Sequence, residues 1–384
     1  MAMTTDHLAP TIGEQRQQGD SPMQRLEMRL VGGEEWDRTL ATFDEACQEQ
    51  MHAFAAARWP SALQEPRVFL LDGEVVGGSL MMVQPLPLGV GNIAVSKWGP
   101  MLKHASRPDA AKIHAAMVDA LITEYAEQRG QMLSVLPQAS ITPDNHSYKS
   151  LLARGFRRGS ELLYPSRYLV NLRLDDEAQR ASFHQKWRYH LGKAHKAELS
   201  FEHSGPGQMS AFERLYASMT DRKQFTDHSA YETVPALMTH PVPELRPELF
   251  FVREGGEIVA GALIFTCGDR AVYLYGATND RALPLRAGYF LHWHIIRWLR
   301  DNTRASWYDL GGTDGNQGLH QFKKGMVGSA GLIRPVPPVA NYASRPLAYV
   351  LGTAAFAGRD TLNSLRRTID GWIDPRRRPT QPRP

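Results

Sequence analysis

Asp309 closes the apolar run Trp307-Tyr308-Asp309-Leu310 and stands at a strand end, where α/β sheets place ligands. From there a carboxylate can position an attacking amine or accept its proton. The same residue ahead of Gly311-Gly312 also reads as a turn-former. The glycine-rich loop from Gly311 either cradles a substrate or turns the chain. A second set of candidates is cationic. The helix expected from Phe183 buries Trp187, Leu191 and Ala194 at helical spacing. Lys186, Arg188, Lys193 and Lys196 fall on its other faces with no acid between them. Such cations suit a polyphosphate or an RNA backbone, and equally a solvated face. Arg188, beside Trp187, is the one singled out for binding, and Arg222 with Lys223 forms a weaker pair. Arg281, Arg286 and Gly288 precede a further helix whose free N–H groups suit phosphate. Pro284 at a helix start accounts for that turn without a ligand. Tyr275 either lines an acceptor cleft or packs.

Other chemistries are poorly served. His292 and His294, two apart on a helix, point to different faces and suit no metal. Zincin, nucleophile-elbow, P-loop and dinucleotide-binding patterns are missing from the chain. Neither cysteine stands in a reactive setting. Direct attack by a bound amine is therefore expected, with no covalent enzyme intermediate and no resident cofactor.

These groups need a scaffold, and the composition supplies an ordinary globular one. With 42% hydrophobic and 22% charged residues over 384 positions, the chain is too long for one small core, and two domains are expected. Cys47 and Cys267 cannot build a disulfide framework, which points to a reducing, cytoplasmic setting. No apolar run reaches the roughly 18 residues of a spanning helix, so no transmembrane segment is expected. Residues 1–24 lack the basic start and apolar core of a signal peptide and read as a disordered leader. The net charge of +4 is mild, but its placement is uneven: from Arg345 onward eight arginines face three aspartates.

The same pattern occurs twice. Aligned on Gly73 and Gly256, Gly-Glu-Val-Val-Gly-Gly-Ser-Leu faces Gly-Glu-Ile-Val-Ala-Gly-Ala-Leu. Each is a hairpin signature of two β-rich runs about a tight turn. Gly78 and Gly261 inside the second run imply a bulge or a close backbone approach. Helical stretches precede each hairpin, over 34–57 and 176–216. After it come a strand ending near Ser96 or Tyr275, a helix over 108–129 or 283–301, a strand from Leu133 or Trp307, and a short helix near Gly155 or Gly325. The offset between copies drifts only from about 183 to 170 residues. Modules over 25–165 and 166–340 follow, with 341–384 as a basic tail.

That element order is the layout of the GNAT acyltransferase fold, an α/β (α+β) class in which mixed sheets are flanked by helices. Two such modules in tandem are expected. The motifs in order are Trp98-Gly99-Pro100, the basic helix from Phe183, Leu274-Tyr275-Gly276-Ala277-Thr278, the helix through His292, Tyr308-Asp309-Leu310-Gly311-Gly312, and Gly318-Leu319-His320-Gln321-Phe322-Lys323. This set resembles the Fem family of peptidoglycan bridge-forming aminoacyltransferases, over about residues 67–330. The resemblance implies an aminoacyl-tRNA donor and, as acceptor, an amine of a peptidoglycan or other cell-envelope precursor. It implies that Lys323 stabilises the oxyanion, work suited to a cation in a partly desolvated cleft, with Phe322 packing its stem. On residues alone, Lys323-Lys324-Gly325 reads as an ordinary helix C-terminus.

The first module has Ser106-Arg107-Pro108 in place of the glycine turn and is expected to be non-catalytic, lending one wall of the acceptor cleft through Lys97, Trp98 and Gly99. Family members acting on lipid-linked precursors often carry a helical-hairpin arm, for which there is no room here. Its absence favours a second enzyme reading, an acyl-CoA-dependent N-acyltransferase on a cell-envelope sugar or lipid amine. A third reading, a non-catalytic scaffold, follows if Lys323 and Asp309 face away from any cleft. In the tail, Leu351, Ala354, Gly358, Leu362, Leu365, Ile369 and Trp372 trace an apolar helical stripe beside Arg359, Arg366 and Arg367. Such a helix either docks on the second module or lies on the anionic inner leaflet as a peripheral contact. Gly352 and Gly358 weaken it in isolation and favour docking.

Overall fold

The computed structural model describes residues 26–223, 230–313 and 315–358. Two mixed sheets flanked by helices make up the chain. The first sheet takes β1 (Glu27–Leu30), β2 (Leu63–Leu71), β3 (Glu74–Pro85), β4 (Asn92–Lys97), β5 (Met101–Leu102), β6 (Met132–Leu136) and β7 (Arg157–Arg158). The second takes β8 (Ser166–Asn171), β9 (Leu199–Ser204), β10 (Glu248–Glu254), β11 (Glu257–Phe265), β12 (Arg270–Thr278), β13 (Trp307–Asp309) and β14 (Leu332–Pro335). A last strand, β15 (Ala340–Tyr342), returns to the first sheet.

In space the orders are β1-β2-β3-β4-β6-β15-β7, with β5 on β3, and β9-β10-β11-β12-β13-β8-β14. They coincide place by place, so the duplication is structural. In each sheet the sixth place is filled by the other half of the chain. β15 lies between β6 and β7, and β8, which follows β7 in sequence, lies between β13 and β14. The two repeats, β1 to β8 and β9 to β15, have thus exchanged their closing strands, so β8 at the start of the stretch expected as the second module is the last strand of the first repeat.

Both hairpins turn through two residues of positive φ, Asp72-Gly73 at 52° and 82° and Gly255-Gly256 at 54° and 86°. That geometry matches the right-handed twist of the strands and selects Asp-Gly and Gly-Gly. Further along, a Cβ on Gly78 would stand 2.5 Å from the Trp36 ring, and one on Gly261 would stand 2.9 Å from Phe251. The glycines allow the close approach that their place in the strands implied.

The helices of the first half are α1 (Gly33–Leu40), α2 (His52–Arg58), α3 (Ala110–Leu121) and α4 (His146–Ala153). Those of the second are α5 (Asp176–Ser182), α6 (Gln185–Ala194), α7 (Met209–Lys223), α8 (Val234–Met238), α9 (Ala282–Leu285), α10 (Ala287–Asn302) and α11 (Gln317–Val327). The stretch 176–216, expected as helical, is broken by β9, which pairs with β10 from Leu199↔Glu254 to Ser204↔Leu249. Leu199, Phe201 and His203 alternate along it, the period of a strand. Packing on the two sheets gives separate cores, Met117 and Leu121 against Phe69 and Met81, and Trp187 and Ile295 against Phe250 and Ala262. A third core joins the modules: Trp36, Leu40 and Phe43 pack with Leu237, Phe265 and Val272.

The segment after residue 340 differs from expectation. It starts as β15 and continues as a helix over 346–358 that lays Tyr349, Leu351 and Phe356 on Leu86, Ile93 and Met132. It therefore docks on the first module, not the second. Gly352 permits this, since a Cβ there would stand 2.4 Å from Met132. The leader 1–24 and the later stripe and arginines from Arg359 lie outside the described residues.

Candidate functional site

β12 and β13 pair in parallel over three residues only, Arg270–Val272 against Trp307–Asp309, and then diverge as β12 runs on to Thr278. In the first module the equivalent β4 and β6 stay paired from Ile93↔Met132 to Lys97↔Leu136. Only the second copy opens a wedge between its central strands. A bulge between Leu263 and Ile264 sets the faces there, pairing Tyr275 with Leu263 and Tyr273 with Ile264. Tyr273 consequently packs with the helices α6 and α10, while Tyr275 joins Tyr216 and Tyr231 in a separate cluster. The Tyr273 hydroxyl lies over Gly276, where a Cβ would overlap it at 1.6 Å.

Lys323 comes to the mouth of this wedge from α11. The side chain is buried, and Nζ donates to the Leu310 and Gly312 carbonyls at 2.5 Å each, 5.9 Å from the centre of the Tyr273 ring. Asn316 caps α11 by accepting from the Leu319 N–H at 2.8 Å, which fixes the helix that carries the lysine. Phe322 packs on Tyr289, His292 and Trp187 at 5.0, 5.5 and 6.2 Å.

Three neighbours of Lys323 were not singled out in the sequence. His292 Nδ1 lies 3.1 Å from the Tyr308 hydroxyl, and burial, followed by the Lys323 charge, pushes its pKa down to about 3. Burial pushes Tyr273 up to about 12 and raises Tyr308 as well. Near neutral pH, therefore, the His292, Tyr273 and Tyr308 side chains beside Lys323 are uncharged. His294 faces away from His292, onto Phe201 and Phe290. Among the described residues no group of three His, Cys, Asp or Glu side chains could hold a metal ion.

Asp309 faces the other module. Its carboxylate accepts from Arg167 Nε at 3.1 Å and Nη2 at 3.0 Å, and from the Gly311 N–H at 2.9 Å. Arg167 comes from the exchanged strand β8 and stands 6.0 Å from the Trp98 ring. Together with Cys47, Glu49 and Arg270 these residues line a cleft between the modules. Trp98 has a left-handed backbone, φ 62°, unusual for a bulky side chain and a form of strain that gathers at working sites. Lys97 is held 3.7 Å from Glu49 and lies over the Trp59 and Trp98 rings at 5.4 and 5.6 Å.

The cleft continues past Trp98 to Glu45, His114 and Asp269. Burial pushes Glu45 up to about 7, against the pull of the Leu102 N–H, while Asp269 and Asp44 raise it further. The folded state thus keeps a proton that the unfolded chain releases near its ordinary value of 4.5. Glu45 adds stability in full below that value and loses it as pH rises toward 7. Glu45→Gln is expected to match the parent's Tm at pH 4.5 and to exceed it by a few degrees at pH 8, measured by calorimetry. A difference independent of pH would refute the assignment.

The remaining candidates lie apart from the wedge. Arg188 Nη1 donates to the Ala181 and Phe183 carbonyls at 2.9 and 2.6 Å, pinning the corner between α5 and α6. Lys193 is exposed, 4.8 Å from the Tyr189 ring. It draws the Tyr189 phenol below its usual range, first by a hydrogen bond, with Arg286 and Lys196 adding to the effect. Burial, then Arg286, Lys186 and Lys193, lowers neighbouring His190. One cationic surface with an exposed aromatic ring therefore includes Arg286, which turns the chain at φ 59° into α10. Arg222 belongs to the last turn of α7, and its side chain lies outside the described residues.

Residues 177–324, which hold the wedge and Lys323, match the family model described as an acetyltransferase (GNAT) domain. The protein is thus an acyltransferase by class, with a GNAT domain as its second module. Across both modules its fold is that of FemX, at TM-score 0.68 and 16% identity over 85% of this chain and 100% of that one. The C-terminal domain of a protein assigned as lysylphosphatidylglycerol synthetase from Agrobacterium fabrum is similar at TM-score 0.53 and 14% identity, over 84% of this chain and 96% of that one. L-PGS from Bacillus licheniformis follows at TM-score 0.50 and 13% identity, over 88% and 98%. No curated protein matches the chain in sequence. The chain has the Fem-like tandem GNAT fold.

Proposed function

We propose that the protein is a Fem-like aminoacyltransferase that moves an aminoacyl group from aminoacyl-tRNA to an amine of a peptidoglycan or other cell-envelope precursor. The observation that carries the reading is the meeting of two openings at one strand end. The β12–β13 wedge, with Lys323 at its mouth, lies against a cleft that both modules line, with Arg167, Arg270 and Asp309 in its wall. In this reading the donor carbonyl enters the wedge and the acceptor amine reaches it from the cleft. The amine nitrogen forms the new C–N bond, the ester C–O bond breaks, and the departing ribose oxygen takes up a proton. Lys323 answers the charge on the carbonyl oxygen. Arg167 and Asp309 shape the cleft wall, so Asp309 acts through position. The cationic surface of Lys193, Lys196 and Arg286 with Tyr189 suits a polyanion that offers bases for stacking. No step calls for a resident cofactor.

A second reading, an acyl-CoA-dependent N-acyltransferase on a cell-envelope sugar or lipid amine, is favoured by Arg286 at the start of α10, where a pyrophosphate would meet helix N–H groups. The readings separate when purified protein is given charged tRNA or acyl-CoA thioesters together with envelope amines. Release of free tRNA with formation of a new amide is the expected result. Release of free thiol instead would replace the first reading with the second.

A further inference from the structure

The helix over 346–358 has no charged residue in its thirteen positions. One face is packed on the first sheet through Tyr349, Leu351 and Phe356. The opposite face leaves Leu347 68% and Val350 60% exposed, one turn apart, with Ala354 exposed beyond them. A surface helix ordinarily turns polar and charged side chains to water. Beside it runs the β3–β4 loop, uncharged from Pro85 to Gly91, which packs against the helix through Leu86 and leaves Val90 51% exposed. Cations rim this apolar ground. Arg157 lies 4.9 Å over the Tyr349 ring, and exposed Arg345 stands just before the helix.

We infer that this face of the first module docks on a membrane surface of anionic phospholipid, the helix lying in the interfacial plane. Apolar side chains on one helix face with arginines around them are the features that bind such a surface. Charge argues against the other occupants. A second copy would set one arginine rim against its twin, and the chain beyond residue 358, with seven arginines to three aspartates, would bring like charge to like. The inference is independent of which donor the wedge takes.

The test is sedimentation of the full chain with phosphatidylcholine vesicles made with or without phosphatidylglycerol. Binding is expected only where phosphatidylglycerol is present. Leu347→Asp combined with Val350→Asp should lower the partition coefficient by about tenfold or more. Leu347→Gln with Val350→Gln should act in the same direction, which excludes simple charge repulsion by the new aspartates. Both positions are exposed, so circular dichroism and Tm should stay at parent values. The inference is overturned if phosphatidylglycerol vesicles bind no protein, or bind both variants as well as the parent. It is equally overturned if the variants lose self-association in analytical ultracentrifugation while neither they nor the parent binds vesicles.

Discussion

Lys323→Ala is expected to lower kcat by about 10² or more and to leave KM nearly unchanged, the pattern of an interaction made only in the transition state. The reason is electrostatic. Lys323 is 5% exposed and shares its surroundings with a neutral His292 and two phenols whose burial keeps them protonated. In the proposed reaction, charge developing on the donor carbonyl oxygen would meet the lysine with little water to screen it. The lysine also ties down the Leu310 and Gly312 carbonyls, so a structural share in its effect has to be separated. Lys323→Arg keeps the cation and the donors and should recover part of kcat, while Lys323→Met, which keeps only the bulk, should lose kcat as alanine does. A loss below about threefold in steady-state transfer would remove Lys323 from the chemistry.

Arg167→Ala should be the most damaging single change to the cleft. Asp309 is 2% exposed, and the guanidinium holds its carboxylate in a side-on pair. Removing one partner of a buried pair leaves an uncompensated charge, at a cost of about 3–5 kcal/mol. Urea unfolding should show that loss. Arg167→Met with Asp309→Leu replaces both charges with apolar groups and should restore much of the stability. The double variant is still expected to transfer poorly, because the cleft wall beside Trp98 has lost its polar shape. Equal stability for Arg167→Ala and the parent would mean that the pair is solvated and structurally idle.

The repeat was legible because its signals are local. Two-residue turns of positive φ leave Asp72-Gly73 and Gly255-Gly256 in the sequence whatever lies around them. The strand end at Asp309 and the helix bearing Lys323 are read in the same way, from a few adjacent residues. What stayed hidden depends on distant partners. Arg167 and Asp309 are 142 positions apart, and neither carries a mark that names the other. His292 was set aside as a metal ligand on its spacing from His294, yet its contacts with Tyr308, Tyr273 and Phe322 join a helix to two strands and another helix. β9 was absorbed into a helical stretch because six residues bounded by helices leave little room for a period of two to show. The apolar stripe after residue 346 says that a face is buried, but a stripe does not say against what. For that reason its docking on the first module, through Ile93 and Met132, emerges only from the packing.

The exchanged strands have a consequence for how the protein is made. β15 closes the sheet that β1 begins, so the first sheet is one strand short until residue 342 has been synthesised. While the ribosome works through the second half, the β6 and β7 edges wait as unpaired ladders, the kind of exposed edge that recruits wrong partners. β8 meets the complementary delay, because its neighbours β13 and β14 appear about 140 and 160 residues later. Each sheet is therefore completed only by a strand from the other half, and completion of the two sheets is expected to be coupled. The Arg167–Asp309 pair forms only when β8 lies in the second sheet, so an intact cleft reports that this exchange of strands has been made.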